Sequence, residues 1–481
     1  MKQPLLLIFL LFQCSLSHAQ APDGYTYGDD DTDQGYHLAL APNGDYLLTG
    51  TTRRNGNNDI LLMRLDEYGS LVWERAIGGQ KTDRGFWVSL DSEGNILLAG
   101  TSQKDGELPL YRFFVSKLRP DGSTLWQKHF LKRRAYCIKE LPGGEYGVLG
   151  FQIFDAGWGG YGMLTLGRDG EWLATHSYEA EEQEKDYGFE FEITPDGGLL
   201  MVGTSWGFHS PEGHDYKVHD SDVFLVKADA GGNEIWRKTL GGPGHDFAKQ
   251  IEKAPGGGYY IIGSTQSEGA GSFDLFLMKI DEQGNAEWTK TFGGEEFEYG
   301  ASVAVNSNNE IFLCGTANSY GDGDHPDMFI LKTDLDGNEI WRHLIGGDGS
   351  EYGHDIKALP DSGCVAIGSS KSFGSGRDDV YLVRLDSAGN FNLIKPMPPA
   401  AGTALFSPNP MTSIGRLEVG TPSANDQFEL RIFNAAGQLL REEKIDGSTA
   451  FVLRNNLAAG HYFYEIILGN GKRIAGKFVV Q

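Results

Sequence analysis

Six acids recur at one register of the chain: Asp33, Asp83, Asp186, Asp246, Glu298 and Glu351, with Arg133 at the remaining place. Carboxylate oxygens gathered at one mouth suit Ca²⁺, a cofactor the residues permit but do not require. Several carboxylates within reach of one another would also have raised pKa values unless a cation neutralised them. The same residue types at a chain reversal do something plainer, accepting backbone N–H groups and capping the turn. Both readings stand on the residues alone. A second group lies between Thr204 and Asp222, where His214 and His219 stand among Asp215, Asp220 and Asp222. Imidazoles with an adjacent acid could hold Zn²⁺ or Ni²⁺, although such insertions also serve as recognition loops or solvated tips. One residue after four of the acids comes an aromatic ring, Tyr187, Phe247, Tyr299 or Tyr352. Rings so placed either stack on a sugar or wedge between sheets.

Catalytic signatures are missing from this inventory. The sequence contains no Gly-x-Ser-x-Gly, His-Glu-x-x-His or P-loop pattern. Gly157-Trp158-Gly159-Gly160-Tyr161-Gly162 has the look of a nucleotide loop, but no helix pattern follows it. No catalytic residue is assigned. A carboxylate pair among the 66 acids stays open as the route to a hydrolase.

The candidate residues owe their register to an internal repeat. Glycines close a short apolar run at Gly50, Gly100, Gly150, Gly203, Gly263, Gly315 and Gly368, at intervals of 50 to 60 residues. Before each run stands a tight turn such as Pro42-Asn43-Gly44-Asp45, and before the turn another strand begins at the acid. A third strand follows, framed by Asp59 and Asp66, Asp222 and Asp229, Asp274 and Asp281, Asp327 and Asp334, or Asp379 and Asp386. The fourth strand holds Trp73, Trp126, Trp236, Trp288 or Trp341, and Gly-Gly closes four of the units. Two residues after the acid stands Gly or Ala every time: Gly35, Gly85, Ala135, Gly188, Ala248, Gly300 and Gly353. A small residue at one fixed point of every first strand predicts crowding there. Four short strands per unit, seven units and no helical period predict an all-β fold: a seven-bladed β-propeller of four-stranded antiparallel blades, first strands at the axis. A linear solenoid would need caps that the sequence lacks. Asn390 to Ile394 offers a fourth strand for the last unit. Gly24-Tyr25-Thr26-Tyr27-Gly28 echoes the endings of the other units and competes for the same edge.

Composition narrows the function classes. Acids outnumber Lys and Arg by 66 to 41, for a net charge of −25, which argues against nucleic acid or an anionic membrane as partner. The 67 glycines are about twice the usual share and fit a turn-rich chain. Lys2, the apolar run Leu5 to Phe12 and Ser17-His18-Ala19 read as a secretory signal peptide over residues 1–19. No later stretch has the length of a transmembrane segment. Cys137, Cys314 and Cys364 sit in apolar strand patterns and read as buried thiols, one disulfide being permitted but not required.

Trp288-Thr289-Lys290-Thr291-Phe292-Gly293-Gly294 resembles bacterial and archaeal propeller repeats of the Trp-Thr-Lys-Thr-Phe-Gly-Gly type. The resemblance covers residues 20–394 and implies a fold, not an activity. Units two and three depart from it, with Arg112 and Arg119, then Gly160 and Gly167, in place of the framing Asp pair. After the Pro-rich linker 395–404, residues 405–481 alternate as a small β-sandwich of immunoglobulin-like kind. Pro408-Asn409-Pro410, Gly437, Gly460 with Tyr462, and Lys477 in the closing Lys-Phe-Val-Val resemble the type A C-terminal sorting domain of the type IX secretion system; Met411 stands where an aromatic is usual. That resemblance implies the secretion machinery as partner and a secreted or cell-surface location. Together these features favour a non-catalytic binding protein for a glycan or a surface protein, with a polysaccharide hydrolase and a structural adhesin as rival classes.

Overall fold

The computed structural model describes residues 19–21, 24–54, 56–103, 112–131, 133–153, 159–178, 185–209, 218–320, 325–391, 404–407, 414–419, 427–446, 449–453, 457–468 and 472–480. Strands dominate throughout, and no helix occurs among the described residues. Two compact units result, residues 1–63 with 74–393 and residues 64–73 with 394–481.

The first unit is built from the repeat. Blade 5 is representative: Asp246–Lys253, Tyr259–Thr265, Asp274–Ile280 and Ala286–Phe292 pair antiparallel in that order. The other first strands are Asp33–Leu40, Arg84–Leu90, Arg133–Glu140, Lys185–Ile193, Glu298–Val305 and Glu351–Ala358. Each packs against the first strand of the next blade, and Glu351–Ala358 packs against Asp33–Leu40, so seven sheets close into a ring. Blades sandwich one another, which buries both faces of their middle strands. Ile96–Ser102, Tyr259–Thr265 and Ile311–Ala317 are buried from end to end. They therefore read as continuous apolar runs rather than as alternation.

All seven first strands bulge at the same point, two residues after the acid position. There Gly or Ala of the first strand faces the repeat glycine of the second, as in Gly300 opposite Gly315. A Cβ at Gly300 would lie 2.4 Å from the carbonyl oxygen of Gly263 in the preceding blade. At Gly353 it would lie 2.3 Å from the Gly315 carbonyl, and at Gly35 it would strike Ile367. The small residue answers crowding at the hub, as the repeat predicts. At the rim the spacing widens and Trp fills it. Trp236 lies beneath Gly284 of the next blade, Trp288 beneath Gly337 and Trp341 beneath Gly389. Those turn glycines have φ of 76°, 74° and 85°, where a side chain would be strained.

Closure decides between the two candidate segments. The fourth strand of blade 7 is Gly24–Tyr27, which pairs antiparallel with Asp379–Leu385 through Tyr25–Leu382, Thr26–Tyr381 and Tyr27–Val380. Of the other segment, Phe391 makes a single bridge to Leu385, and residues 392–394 lie outside the described residues. Gly28 then stands where the first Gly of Gly-Gly stands elsewhere: a Cβ there would lie 2.0 Å from Asp379 Oδ1, as one at Gly293 would lie 1.8 Å from Asp274 Oδ1. The N-terminal segment thus completes the last blade and ties the two ends of the ring.

Cys137, Cys314 and Cys364 are buried free thiols. In the second unit, Ala404–Ser407, Ile414–Val419 and Thr449–Leu453 form one sheet; Leu439–Asp446, Gln427–Asn434, Gly460–Leu468 and Arg473–Val480 form another. Leu417, Phe428, Leu430, Ile466 and Phe478 share one core.

Replacing Gly300 with Val should lower unfolding stability by about 1–3 kcal/mol, because the clash is with backbone that cannot rotate away. Urea midpoints of the variant and the parent check it; an unchanged midpoint would contradict hub crowding.

Candidate functional site

The six acids begin the first strands, and the five whose side chains are described are occupied. Asp83 accepts the Gly79 N–H at 3.0 Å and the Gln103 N–H at 3.2 Å. Asp246 accepts the Gly242 N–H at 2.8 Å and the Ser267 hydroxyl at 2.7 Å. Glu298 takes the N–H groups of Gly294 and Ser319, and Glu351 those of Gly347, Lys371 and Ser372. Asp33 takes the Asp29 N–H at 3.0 Å. Each acid therefore ties the loop entering its blade, and in most cases also the loop after its second strand. Asp186 starts its strand in the same register, paired with Ser205. Among the described residues no group of three or more His, Cys, Asp or Glu converges as a metal set. His214 lies outside the described residues, and His219 pairs with Phe208 in the third strand of blade 4.

Asp33 differs electrostatically. Burial pushes its carboxyl up to about 6 from 3.8, with Asp29 and Asp379 adding like charge. The stability that this shift contributes is complete below pH 3.8 and is lost as pH rises through about 6.

Just past the bulge, four residues after the acid position, a buried side chain of five first strands reaches the following blade. Asp355 Oδ2 accepts the Leu38 N–H at 2.8 Å. His37 Nδ1 accepts the Val88 N–H at 3.4 Å, Glu190 the Ile251 N–H at 3.4 Å, Gln250 the Val303 N–H at 2.6 Å, and Ser302 the Ile356 N–H at 3.1 Å. At the other two places stand Trp87, stacked on His37 at 3.7 Å, and the Cys137 thiol. This girdle is polar yet buried. Burial pushes His37 down to about 3, so its neutral ring accepts at Nδ1 and turns its Nε2 toward Asp355, 3.5 Å away. Burial alone would raise Asp355; Lys357 at 2.7 Å and the Ser302 hydroxyl at 2.6 Å help to hold it ionised instead.

Two side chains flank the bulge of each first strand; of the outer ones Tyr187 stacks on Phe151 of the preceding blade at 4.8 Å, wedged between blades. The outer set, one residue after the acid position, is Gln34, Arg84, Arg134, Tyr187, Phe247, Tyr299 and Tyr352. The inner set is Tyr36, Phe86, Tyr136, Phe189, Lys249, Ala301 and His354. The inner rings touch in series: His354–Tyr36 at 5.3 Å, Tyr36–Phe86 at 6.0 Å, Phe86–Tyr136 at 5.5 Å and Tyr136–Phe189 at 5.5 Å. Lys249 continues the circuit, its ammonium 4.6 Å from the Phe189 ring. Tyr187 stacks on Phe189 and Tyr352 on His354, linking the two sets. Phe247 and Tyr299 belong to a second string, in which Trp206, Phe247, Phe273, Tyr299 and Phe297 follow at 5.3–5.6 Å. Tyr299 is 43% exposed. Sequence reasoning found the four outer rings and missed the inner set, whose types do not repeat from blade to blade; a count along each first strand from its acid would have found them. A cleft of about 340 Å³ opens elsewhere, between blades 4 and 5, beside Leu240, Ser267, Phe276 and Met278. Of the two carboxylates that line it, Asp246 is bound by Gly242 and Ser267 and Glu268 is the other; the aromatic faces lie instead at the axial mouth, which is taken as the candidate site.

In the second unit, Tyr462 donates to the Ala458 carbonyl at 2.7 Å and stacks on Phe478 at 5.5 Å. Gly437 has φ of 79° in the turn that Asn434 caps. Gly460 opens the strand that pairs with the closing one, in which Lys477 faces Phe463. Pro408, Asn409 and Pro410 lie outside the described residues.

Comparison with known proteins agrees with both halves of this geometry. Residues 406–481 match the secretion system C-terminal sorting domain. Solved structures of similar fold include a puromycin hydrolase variant complexed with PGG (16% identity, TM-score 0.50, covering 90% of this chain and 59% of that one). PorZ, an essential surface component of the type-IX secretion system of Porphyromonas gingivalis, has 11% identity and a TM-score of 0.38, covering 97% of this chain and 75% of that one. The Dos1 propeller has 10% identity and a TM-score of 0.42, covering 73% and 93%. Likeness at such identity speaks to fold alone. The regulatory protein FlaEY of Caulobacter vibrioides is 24% identical over 113 residues, 21% of this chain and 12% of that protein. The chain is an all-β protein of the propeller class. It ends in a type IX sorting domain and is secreted or held at the cell surface.

Three outcomes are expected. Asp355→Ala should cost about 3–5 kcal/mol, since it leaves the buried Leu38 N–H and the half-buried Lys357 without their partner; chemical denaturation measures it. Asp33→Asn should flatten the stability difference between pH 4 and pH 7 by about 2 kcal/mol, read from urea midpoints across that range. Ca²⁺ chelation should leave the melting temperature unchanged, because the described acids already have N–H donors; a drop reversed by added Ca²⁺ would contradict this.

Proposed function

We propose that the protein is an exported, non-catalytic β-propeller whose axial mouth binds a glycan or glycosylated partner at the cell surface. The observation that supports it best is the mouth itself: aromatic faces on several blades, held by a rigid buried girdle, with the acids turned to backbone. Rings held open toward solvent favour stacking on the C–H faces of sugars. Residues 1–19 would direct export across the inner membrane, and residues 405–481, an immunoglobulin-like sandwich, would engage the type IX machinery. Residues 20–394 form the binding propeller and 395–404 its linker. Tyr187, Phe247, Tyr299 and Tyr352 are the contact residues of this reading.

A glycan array with the full chain, followed by a hydrolysis screen on the glycans retained, tests it. Binding without turnover is expected. Turnover would replace this reading with a polysaccharide hydrolase, and an empty array with a structural adhesin.

A further inference from the structure

The circuit of inner residues is broken at one place. Blades 7, 1, 2, 3 and 4 present His354, Tyr36, Phe86, Tyr136 and Phe189 in ring contact. Blades 5 and 6 present Lys249 and Ala301 instead. Ala301 leaves space where its neighbours fill it. Above this notch, on the same face of the same two strands, stand Phe247 and Tyr299, joined through Phe273. The wall on one side is Phe189 and on the other His354.

Charge singles out the same place. The chain carries a net −25. The outer and inner axis-facing sets nonetheless contain Arg84, Arg134 and Lys249 and no Asp or Glu. Carboxylates stand above these sets at the acid position, where Asp246 and Glu298 are held by loop donors, and lower on the first strands, where Glu190 and Glu192 are bound by Lys139 at 2.8 and 2.5 Å. Among the described residues Lys249 has no carboxylate partner; its described neighbour is the Phe189 face at 4.6 Å. Lys249 is exposed on its strand, and the protein atoms crowded around it lower its pKa. An unpaired ammonium at the base of an aromatic notch is complementary to one anionic group carried on a ring with apolar faces. An extended acidic peptide fits less well. It would need a free strand edge, and the girdle already takes the N–H groups of Leu38, Val88, Ile251, Val303 and Ile356.

We propose that the notch formed by Phe247, Tyr299, Lys249, Ala301, Phe189 and His354 is a subsite for a carboxylate-bearing pyranose of an acidic polysaccharide. The sugar face stacks on Phe247 and Tyr299, and its carboxylate meets the Lys249 ammonium. This rests on the glycan-binding reading and specifies its ligand.

Isothermal titration of the full chain with trigalacturonate, galactotriose and hexaglutamate tests it. Trigalacturonate should bind at least about tenfold more tightly than galactotriose. Lys249→Met and Lys249→Gln should remove that preference, bringing the acidic sugar to the level of the neutral one. Lys249→Arg should keep it, Ala301→Phe should weaken both sugars, and Lys290→Met on the outer strand of blade 5 should change neither. Circular dichroism of each variant reports folding, and the near-isosteric Gln substitution keeps the test open if Met perturbs packing. Retained preference in Lys249→Gln, absence of trigalacturonate binding, or tighter binding of hexaglutamate would each overturn the subsite. Neutral-glycan binding on the array, indifferent to Lys249, would overturn the acidic ligand alone and leave the propeller a glycan-binding protein.

Discussion

Backbone crowding at the hub governs this molecule. Seven first strands converge, and at their common bulge the main chain of one blade presses on the next. The Gly263 carbonyl stands 2.4 Å from where a Gly300 Cβ would be, and the Gly315 carbonyl 2.3 Å from one at Gly353. Contact this close excludes any side chain larger than the methyl of Ala135 or Ala248 at that level. It also brings the following residues near enough for a side chain of one blade to accept an N–H of the next, as Asp355 does from Leu38. Close approach thus turns a hydrophobic stack of sheets into a ring with directional, buried bonds, and in such surroundings a broken bond costs more than an exposed one.

The same geometry separates structural polarity from available polarity. The acids at the starts of the first strands and in the girdle are taken by backbone N–H groups, hydroxyls or Lys, and no group of three or more His, Cys, Asp or Glu converges as a metal set among the described residues. What stands outside that network is the set of side chains that the bulge turns inward, which touch one another in series. These have no fold-building partner across the axis, so their types vary freely: five rings, a lysine and an alanine.

The sheets were legible because each has its own local signals. Asp281 and Asn285 mark a turn that the structure closes with Asp281 accepting the Gln283 and Asn285 N–H groups. Trp on the fourth strand marks the rim. Residues 408–410, in contrast, marked the sorting domain by resemblance, and Tyr462 shows a physical role for one of its positions by stacking on Phe478. Closure was ambiguous because Gly24–Gly28 and Asn390–Ile394 each supply a plausible strand. Gly28 decides it, fitting against Asp379 as each Gly-Gly fits against the framing Asp of its own blade.

Repetition alone determined the number of blades, the strand order within each, the crowded glycine position and, with the C-terminal segment, the export address. A pattern that recurs every 50 to 60 residues records what all blades need in common. The identity of the axial mouth was decided by the tertiary structure. Tyr36, Lys249 and His354 lie far apart along the chain and share no repeating type, and only closure of the ring places them around one axis.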